Sequence, residues 1–367
     1  MIITPEYIKT LKPYVPGKSI EEIQKEFGLE EIHKIASNEN PLGPSPKAIE
    51  AMKKVHGEVN RYPDPGALEL RKKISAKSGV EVSNIAVGSG SEGIMANILR
   101  CFLCDGDEMI TSEATFIGFQ VLARGRANKC HYVPMPRDTY KFDADGILAK
   151  VNERTKIIYI CNPNNPTGTI LNKGEFDKFY KGVPENVLII MDEAYFEYAC
   201  GCAEYPDSMD YRYDNVITLR TFSKIYGIAG ARIGYGFAHA DIVSTIMKVK
   251  LPFEPNSLAQ AGAIGALDDD EFLEKSRALN AGGYEYFRKE LNDLHKEGKI
   301  VFVPSYANFV LLKLESEEKV NFINSSLLKE GVIIRPLKPF GLADCIRVTM
   351  GLRKENEAFI KSFKKYI

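Results

Sequence analysis

The sequence has almost no net charge, since 48 Lys plus Arg against 49 Asp plus Glu leave −1 over 367 residues. That balance argues against a general nucleic-acid binder, whose affinity would rest on a strong positive field. No apolar run approaches the ~18 residues needed to cross a bilayer. The N-terminus, Met1-Ile-Ile-Thr-Pro-Glu6, has no basic stretch ahead of an apolar core, so the reading is a soluble, cytoplasmic protein without a membrane partner. Histidine is scarce: the five present are scattered, with no pair spaced for one helical face, and no metal site is expected. Cysteine is sparse too. Among the seven, Cys101-x-x-Cys104 and Cys200-x-Cys202 invite a metal or redox reading. The first pair, however, falls in an apolar helix expected over Ile94–Cys104, and the second in an acidic, aromatic loop far from it. Reduced thiols in a reducing compartment are expected. Internal repeats and low-complexity tracts are absent.

The length exceeds one ordinary core, which predicts a large domain and a smaller one. The first forty residues hold a proline-stiffened arm and a helix, Ser19–Phe27, with Ser19 and Glu22 spaced as a capping box. Ala36-Ser-Asn-Glu-Asn-Pro-Leu-Gly-Pro-Ser-Pro46 and Arg61-Tyr-Pro-Asp-Pro-Gly66 are rigid turns. A helix is expected over Ala67–Lys77. From residue 84, short apolar runs alternate with helices: strands over Asn84–Val87, Glu108–Thr111, Lys129–Val133, Lys156–Ile160, Val187–Met191, Val216–Arg220 and Ile233–Phe237. Such alternation predicts an α/β fold with a mostly parallel sheet covered on both faces, and active residues at the carboxyl ends of its strands. After Lys250 the texture changes. Helices over Ser257–Leu267 and Asp270–Glu297 precede short strands at Val301–Val303, Phe309–Lys313, Val332–Arg335 and Ile346–Met350, as in a smaller α+β domain. The expected division is an N-terminal arm over 1–40, a large domain over 41–255 and a small domain over 256–367, with the arm packing on the small domain.

One stretch concentrates the chemistry: Thr221-Phe-Ser-Lys-Ile-Tyr-Gly-Ile-Ala-Gly-Ala-Arg-Ile-Gly-Tyr235. Lys224 follows a strand and is bracketed by Thr221, Ser223 and Arg232. An amine that forms a Schiff base needs a rigid perch and nearby cations that hold it partly neutral. Hydroxyls and a guanidinium suit a phosphate, and together they point to pyridoxal phosphate at Lys224. Val87-Gly-Ser-Gly-Ser-Glu-Gly93 reads equally as a dinucleotide fingerprint, with Glu113 about twenty residues on for a ribose. A nicotinamide-dependent oxidoreductase therefore competes, because the loop reports a phosphate at a helix N-terminus without saying which one. Two further motifs favour pyridoxal phosphate. Asn165 stands at the tip of the loop after Ile157–Cys161, where its amide can donate to a phenolate oxygen. Asp192 ends an apolar strand, with Tyr195 three residues on, and a buried carboxylate needs a positive partner such as a protonated pyridine nitrogen.

Asn162-Pro-Asn-Asn-Pro-Thr-Gly168, Asp192-Glu-Ala-Tyr195 and Ser223-Lys-x-Tyr-Gly-Ile-Ala-Gly-x-Arg232 resemble the signature set of the fold-type-I, aspartate-aminotransferase-like enzymes that use pyridoxal phosphate. Within them the chain resembles the histidinol-phosphate aminotransferase branch, on Leu11-Lys-Pro-Tyr-Val-Pro-Gly-Lys18, Ala36–Gly43, Arg61-Tyr-Pro-Asp64 and Ile346-Arg-Val-Thr-Met-Gly351. The resemblance runs nearly end to end.

It implies a seven-stranded, mostly parallel sheet between helices plus a smaller α+β domain. It also implies residue roles: Lys224 as the Schiff-base lysine, Asp192 at the pyridine nitrogen, Tyr195 and Asn165 at the phenolic oxygen, and Phe116 stacked on the ring. The phosphate would take amides of Ser91 and Glu92, the hydroxyls of Thr221 and Ser223, and Arg232. Tyr62 would reach the neighbouring subunit's phosphate site, implying a homodimer with shared sites in which the N-terminal arm also packs on the partner subunit. Arg347 would grip the α-carboxylate, Arg335 and Tyr14 the substrate phosphate, and Asn38 would also face the substrate. The implied reaction is ping-pong transamination of L-histidinol phosphate with 2-oxoglutarate, giving imidazole acetol phosphate and L-glutamate in histidine biosynthesis. An aromatic or aspartate aminotransferase, a threonine-phosphate decarboxylase and a non-catalytic binding protein on the same scaffold are the rivals. The chain departs from the pattern twice: Glu92-Gly93 stands where many relatives have Asp-Glu, and Phe116 where they often have tyrosine.

Overall fold

The computed structural model describes residues 2–9, 11 and 19–367. Its centre is a seven-stranded sheet in the order Ile85–Gly88, Gly234–Phe237, Val216–Thr221, Leu188–Asp192, Thr155–Cys161, Glu108–Ser112, Lys129–Val133. Gly234–Phe237 runs antiparallel to both neighbours, while every other pairing is parallel. Six strands therefore end at one edge. Leu188–Asp192 and Val216–Thr221 are buried at every position, which is why Leu188–Met191 reads as a continuous apolar run instead of an alternating one. Helices Gly90–Phe102, Ile117–Arg124 and Lys173–Gly182 pack on this sheet around Ile94, Ile98, Phe119, Tyr159 and Phe176.

The reversed strand has a consequence for the site. Because Gly234–Phe237 starts at the edge where the others finish, the residue just before it, Ile233, and Arg232 beside that, are delivered to the carboxyl ends. Gly234 is paired with both Gly88 and Thr221. A Cβ there would lie 2.4 Å from the Ser91 amide nitrogen, so only glycine lets the following helix approach this closely.

Helix Ser257–Leu267 lies beyond residue 255, yet Ala259, Ala263 and Ala266 share a core with Ala48, Leu70, Ile85 and Phe237 of the large sheet's flank. Gly265 allows the close approach, since a Cβ there would meet the Lys47 carbonyl at 2.4 Å. The 27-residue helix Asp270–Lys296 then crosses to a second core, where Phe287 and Leu291 meet Val310, Ile346 and Phe359. This core backs a four-stranded antiparallel sheet, in the order Arg335–Pro336, Cys345–Thr349, Phe309–Lys313, Val301–Val303. His33–Lys34 pairs in parallel with Val332–Ile333, joining the N-terminal segment to this part of the chain.

Several expectations shift. The single strand expected over Val332–Arg335 is two: Val332–Ile333 pairs with His33–Lys34, and Arg335–Pro336 crosses to the four-stranded sheet. The helix after Gly88 begins at Gly90, four residues before the expected Ile94, and ends at Phe102, leaving Cys104 exposed beyond it. Helices Lys173–Gly182 and Ala240–Val249 were not anticipated, although Asn172 and Glu175 form a full capping box. The capping box at Ser19 and Glu22 is present, and helix Ile20–Phe27 ends on Gly28 in the left-handed conformation.

Candidate active site

The strand ends converge on two adjoining cavities. The inner one, of about 130 Å³, is lined by Ser91, Glu92, Phe116, Asn165, Asp192, Tyr195, Thr221, Ser223, Lys224 and Arg232, with Gly90, Cys161 and two alanines. An outer one, of about 530 Å³, shares Glu92, Phe116, Asn165, Lys224 and Arg232 and adds Lys34, Asn38, Ile333, Arg335, Phe340 and Arg347 among others.

At the floor, Asp192 is 2% exposed. Its Oδ2 accepts a hydrogen bond from the Tyr159 hydroxyl at 2.7 Å, while Oδ1 is buried with no hydrogen-bond partner among the described residues. Burial raises the carboxyl from its ordinary 3.8 to about 6, against the lowering effects of Tyr159, the Ala194 amide and Lys224. Such an orphaned oxygen is costly unless a donor meets it. Above it, burial pushes the Lys224 ammonium down to about 8, helped by the positive fields of Arg347 and Arg232 and opposed by Glu39 and Asp192. A weakened lysine facing an unsatisfied carboxylate is an unusual pairing, suited to an amine that reacts and a carboxylate that waits for a cationic ring nitrogen.

At one end, helix Gly90–Phe102 opens with no side-chain cap on its free amides, so the Ser91 and Glu92 N–H groups and the helix dipole favour an anion. Gly90 has φ +77°, and a Cβ on it would lie 2.8 Å from Arg232 Nη2. Arg232 itself sits in the left-handed region at φ +57°, which aims its guanidinium back at the helix start. Thr221 Oγ1 donates to Ser223 Oγ at 3.0 Å and accepts from the Ser223 amide at 3.1 Å. Glu92 places a carboxylate 3.9 Å from Arg232.

At the other end, long-range contacts orient the polar groups. Tyr195 accepts from Asn38 Nδ2 at 2.9 Å, which leaves its own hydroxyl hydrogen to donate. Asn38, at φ +56°, is fixed by Thr349, whose hydroxyl bonds both its amide nitrogen and its Oδ1 at 3.0 Å. Asn165 Oδ1 accepts from Arg347 Nη1, so its Nδ2 hydrogens are turned elsewhere. Arg347, 6% exposed, also donates to the Ala36 carbonyl at 2.7 Å. Arg335 is directly opposite Arg347 in the antiparallel register, and directly opposed residues project to the same face; both line the outer cavity.

Pyridoxal phosphate makes three demands, and the residues present meet them. A buried acceptor lacks a donor at Asp192, an activated amine stands at Lys224, and a phosphate cradle is built from helix amides, two hydroxyls and Arg232. Phe116 lines both cavities with its ring beside Gly118, where a Cβ would come within 2.4 Å of it. By contrast, Glu113, which a dinucleotide reading places at a ribose, lines neither cavity.

With this geometry, the comparisons decide the family. The model of aminotransferase class I and II matches residues 30–363. The chain belongs to that family. It is 39% identical over 368 residues to the histidinol-phosphate aminotransferase of Moorella thermoacetica, covering 99% of this chain and 92% of that one. With histidinol-phosphate aminotransferase 2 of Carboxydothermus hydrogenoformans it shares 40% identity, over 97% of each chain. The crystal structure of histidinol-phosphate aminotransferase from Sinorhizobium meliloti in complex with pyridoxal-5'-phosphate superposes with a TM-score of 0.87 at 27% identity, covering 99% of this chain and 97% of that one. The chain is thus an aminotransferase of fold type I.

Of the anticipated site residues, all but two face this aminotransferase's cavities. Tyr62 is 80% exposed and stacks on Phe253 with centroids 4.2 Å apart; it lines neither cavity. Tyr14 lies outside the described residues. Sequence reasoning missed Tyr159, Lys34 and the pair Arg220–Glu193. Arg220 Nε and Nη2 donate to Glu193 Oε2 at 3.1 and 2.9 Å, and its guanidinium lies 3.2 Å from the Phe196 ring centroid. This buried pair ties the strand end carrying Asp192 to the one leading to Lys224. Its signal was an arginine inside an apolar strand, which has to find a carboxylate.

Proposed function

We propose that this aminotransferase binds pyridoxal phosphate and exchanges the amino group of L-histidinol phosphate with 2-oxoglutarate, giving imidazole acetol phosphate and L-glutamate in alternating half-reactions. The observation that carries the cofactor assignment is the buried Oδ1 of Asp192, without a hydrogen-bond partner among the described residues, in one cavity with a lysine lowered to about 8. The substrate assignment rests on relatives near 40% identity over almost the whole chain and on a cationic outer cavity.

In this reading Asp192 keeps the pyridine nitrogen protonated, Tyr195 and Asn165 donate to the phenolic oxygen, and Phe116 stacks on the ring. Ser91, Glu92, Thr221, Ser223 and Arg232 hold the phosphate. Bound pyridoxal phosphate supplies an electron sink for negative charge developing at the substrate Cα. Lys224 Nζ takes the Cα proton and later returns one, and a lowered pKa keeps a useful fraction of it neutral near pH 7. Arg347, already fixed by Asn165 and Ala36, orients a carboxylate, while Arg335, with Tyr14, takes the distal phosphate of histidinol phosphate. Because histidinol phosphate has no α-carboxylate and glutamate has two carboxylates, one basic cavity serves both half-reactions. Asn38 sets Tyr195 and faces the substrate.

The exposed Tyr62–Phe253 stack, with Leu251 54% exposed in the same turn, supports a homodimer in which Tyr62 completes the partner's phosphate site. We also place the protein in the cytoplasm and keep the arm, large and small domain division, with helix Ser257–Leu267 packed on the large domain. The test is spectral: purified protein loaded with pyridoxal phosphate shows a visible band that L-histidinol phosphate bleaches. After borohydride reduction and denaturation, the wild-type protein keeps the cofactor covalently attached, whereas Lys224→Ala releases it. Cofactor that stays covalently attached to Lys224→Ala contradicts the assignment.

A further inference from the structure

Among the described residues, the outer cavity carries five cations, Lys34, Lys224, Arg232, Arg335 and Arg347, against a single carboxylate, Glu92. Four of the cations have roles above: the reacting amine, the cofactor phosphate, the α-carboxylate and the distal anion. Lys34 has none. Its backbone is held firmly, since the flanking His33 and Ile35 amides donate to the carbonyls of Gly331 and Ile333 at 2.7 and 3.0 Å, and Ile35 accepts from Thr349 at 2.9 Å. In the parallel register Lys34 is partnered with Ile333, and both line the cavity two residues away from Arg335. One wall therefore presents Lys34 and Arg335 together. The ammonium lies 3.5 Å from the Glu39 carboxylate, and the two side chains are 30% and 54% exposed. Glu39 itself does not line the cavity.

Resting on the aminotransferase reading above, we propose that Lys34 is a specificity-determining residue that binds the distal anion of the substrate beside Arg335, with Glu39 as its exchangeable counter-ion. The physical logic is charge matching. A phosphate monoester brings close to two negative charges, which one arginine leaves half compensated; a lysine supplies the second charge as a compact, rotatable donor. When no anion is bound, Glu39 holds that ammonium. The pair is partly solvated, so releasing Glu39 to water costs little, and an incoming anion exchanges one ion pair for another. The recognised chemistry is an anion remote from the reacting amine, as on a phosphate monoester donor or on the side-chain carboxylate of glutamate and 2-oxoglutarate.

Single-turnover half-reactions of the holoenzyme test this with three donors: L-histidinol phosphate, L-glutamate and L-phenylalanine, which has no distal anion. Lys34→Met is expected to raise the half-saturating concentration of histidinol phosphate and glutamate about ten-fold, the scale of one charge-assisted hydrogen bond, with the limiting rate changed less than about two-fold. Phenylalanine is expected to shift by less than about two-fold. Lys34→Arg restores most of the affinity, and Glu39→Gln tightens both anionic donors. A loss confined to histidinol phosphate or to glutamate supports the proposal and assigns the anion to that source. Unchanged saturation for both anionic donors, or an equal loss for phenylalanine, overturns it. If wild-type enzyme ignores histidinol phosphate, the substrate assignment fails, while the glutamate and phenylalanine pair still decides the role of Lys34. Should Lys34→Met not bind cofactor, Lys34→Arg and Glu39→Gln carry the test.

Discussion

Replacing Asp192 by asparagine should make the apoprotein more stable and the enzyme far worse. The carboxyl is buried, and its pKa is raised from 3.8 to about 6. A shift of roughly two units corresponds to about 3 kcal/mol. Because the folded-state value lies above the ordinary one, this penalty is absent well below pH 4. Wild-type stability is lost relative to the variant as pH rises through about 6. Asparagine keeps an oxygen to accept from the Tyr159 hydroxyl, so the 2.7 Å bond need not be forfeited. Thermal melts of cofactor-free protein should show Asp192→Asn ahead by on the order of 5 °C at pH 8. The gap should be about half as large at pH 5 and close toward pH 4. Activity should fall about 100- to 1,000-fold, since an amide cannot balance a protonated ring nitrogen and a broken buried charge pair costs about 3–5 kcal/mol. A variant less stable than wild type at pH 8, or a gap independent of pH, would refute the claim that Asp192 is held ready at an energetic cost.

Three further outcomes follow from the same geometry. The rate at which apoprotein takes up pyridoxal phosphate should rise with pH to half its maximum near pH 8, because Lys224 sits at about 8 and only the neutral amine attacks; a profile still climbing beyond pH 10 would mean that burial does not weaken this lysine. Gly90→Ala should weaken cofactor binding about ten-fold in fluorescence titrations, since φ is +77° and the new methyl meets Arg232 at 2.8 Å, and unchanged affinity would show that the cradle tolerates a side chain. Mixing Tyr62→Ala with Lys224→Ala subunits should restore activity to about a quarter of wild type, because half the dimers are hybrids with one intact site, whereas no recovery would place Tyr62 outside its partner's site.

How much of this was legible depends on how local each signal is. Lys224, with Thr221, Ser223 and Arg232, is a contiguous stretch, so its hydroxyls, amine and guanidinium announce themselves before any fold is known. Asp192 reads correctly as the end of a buried strand, but its orphaned Oδ1 depends on what the neighbouring strand does not offer. Asn38 was only named as facing substrate; its bonds to Tyr195 and Thr349 span 157 and 311 residues, beyond any pattern of spacing. The glycine-rich loop stayed ambiguous until the antiparallel strand at Gly234 brought Arg232 to the helix start. Val332–Arg335 misled for a different reason: four residues of uniform strand propensity conceal a change of partner at Ile334, which hydrogen bonding decides and composition does not. That change is also what sets Lys34 and Arg335 on one wall.

The most direct measurement of the central claim compares kcat/KM for L-histidinol phosphate with that for L-phenylalanine and L-aspartate, with 2-oxoglutarate as acceptor. The account expects histidinol phosphate to lead by about 100-fold or more, equivalent to ~3 kcal/mol in transition-state binding. Equal or better turnover of phenylalanine or aspartate would contradict it, leaving the fold and cofactor site in place but assigning the basic outer cavity to a different amino donor.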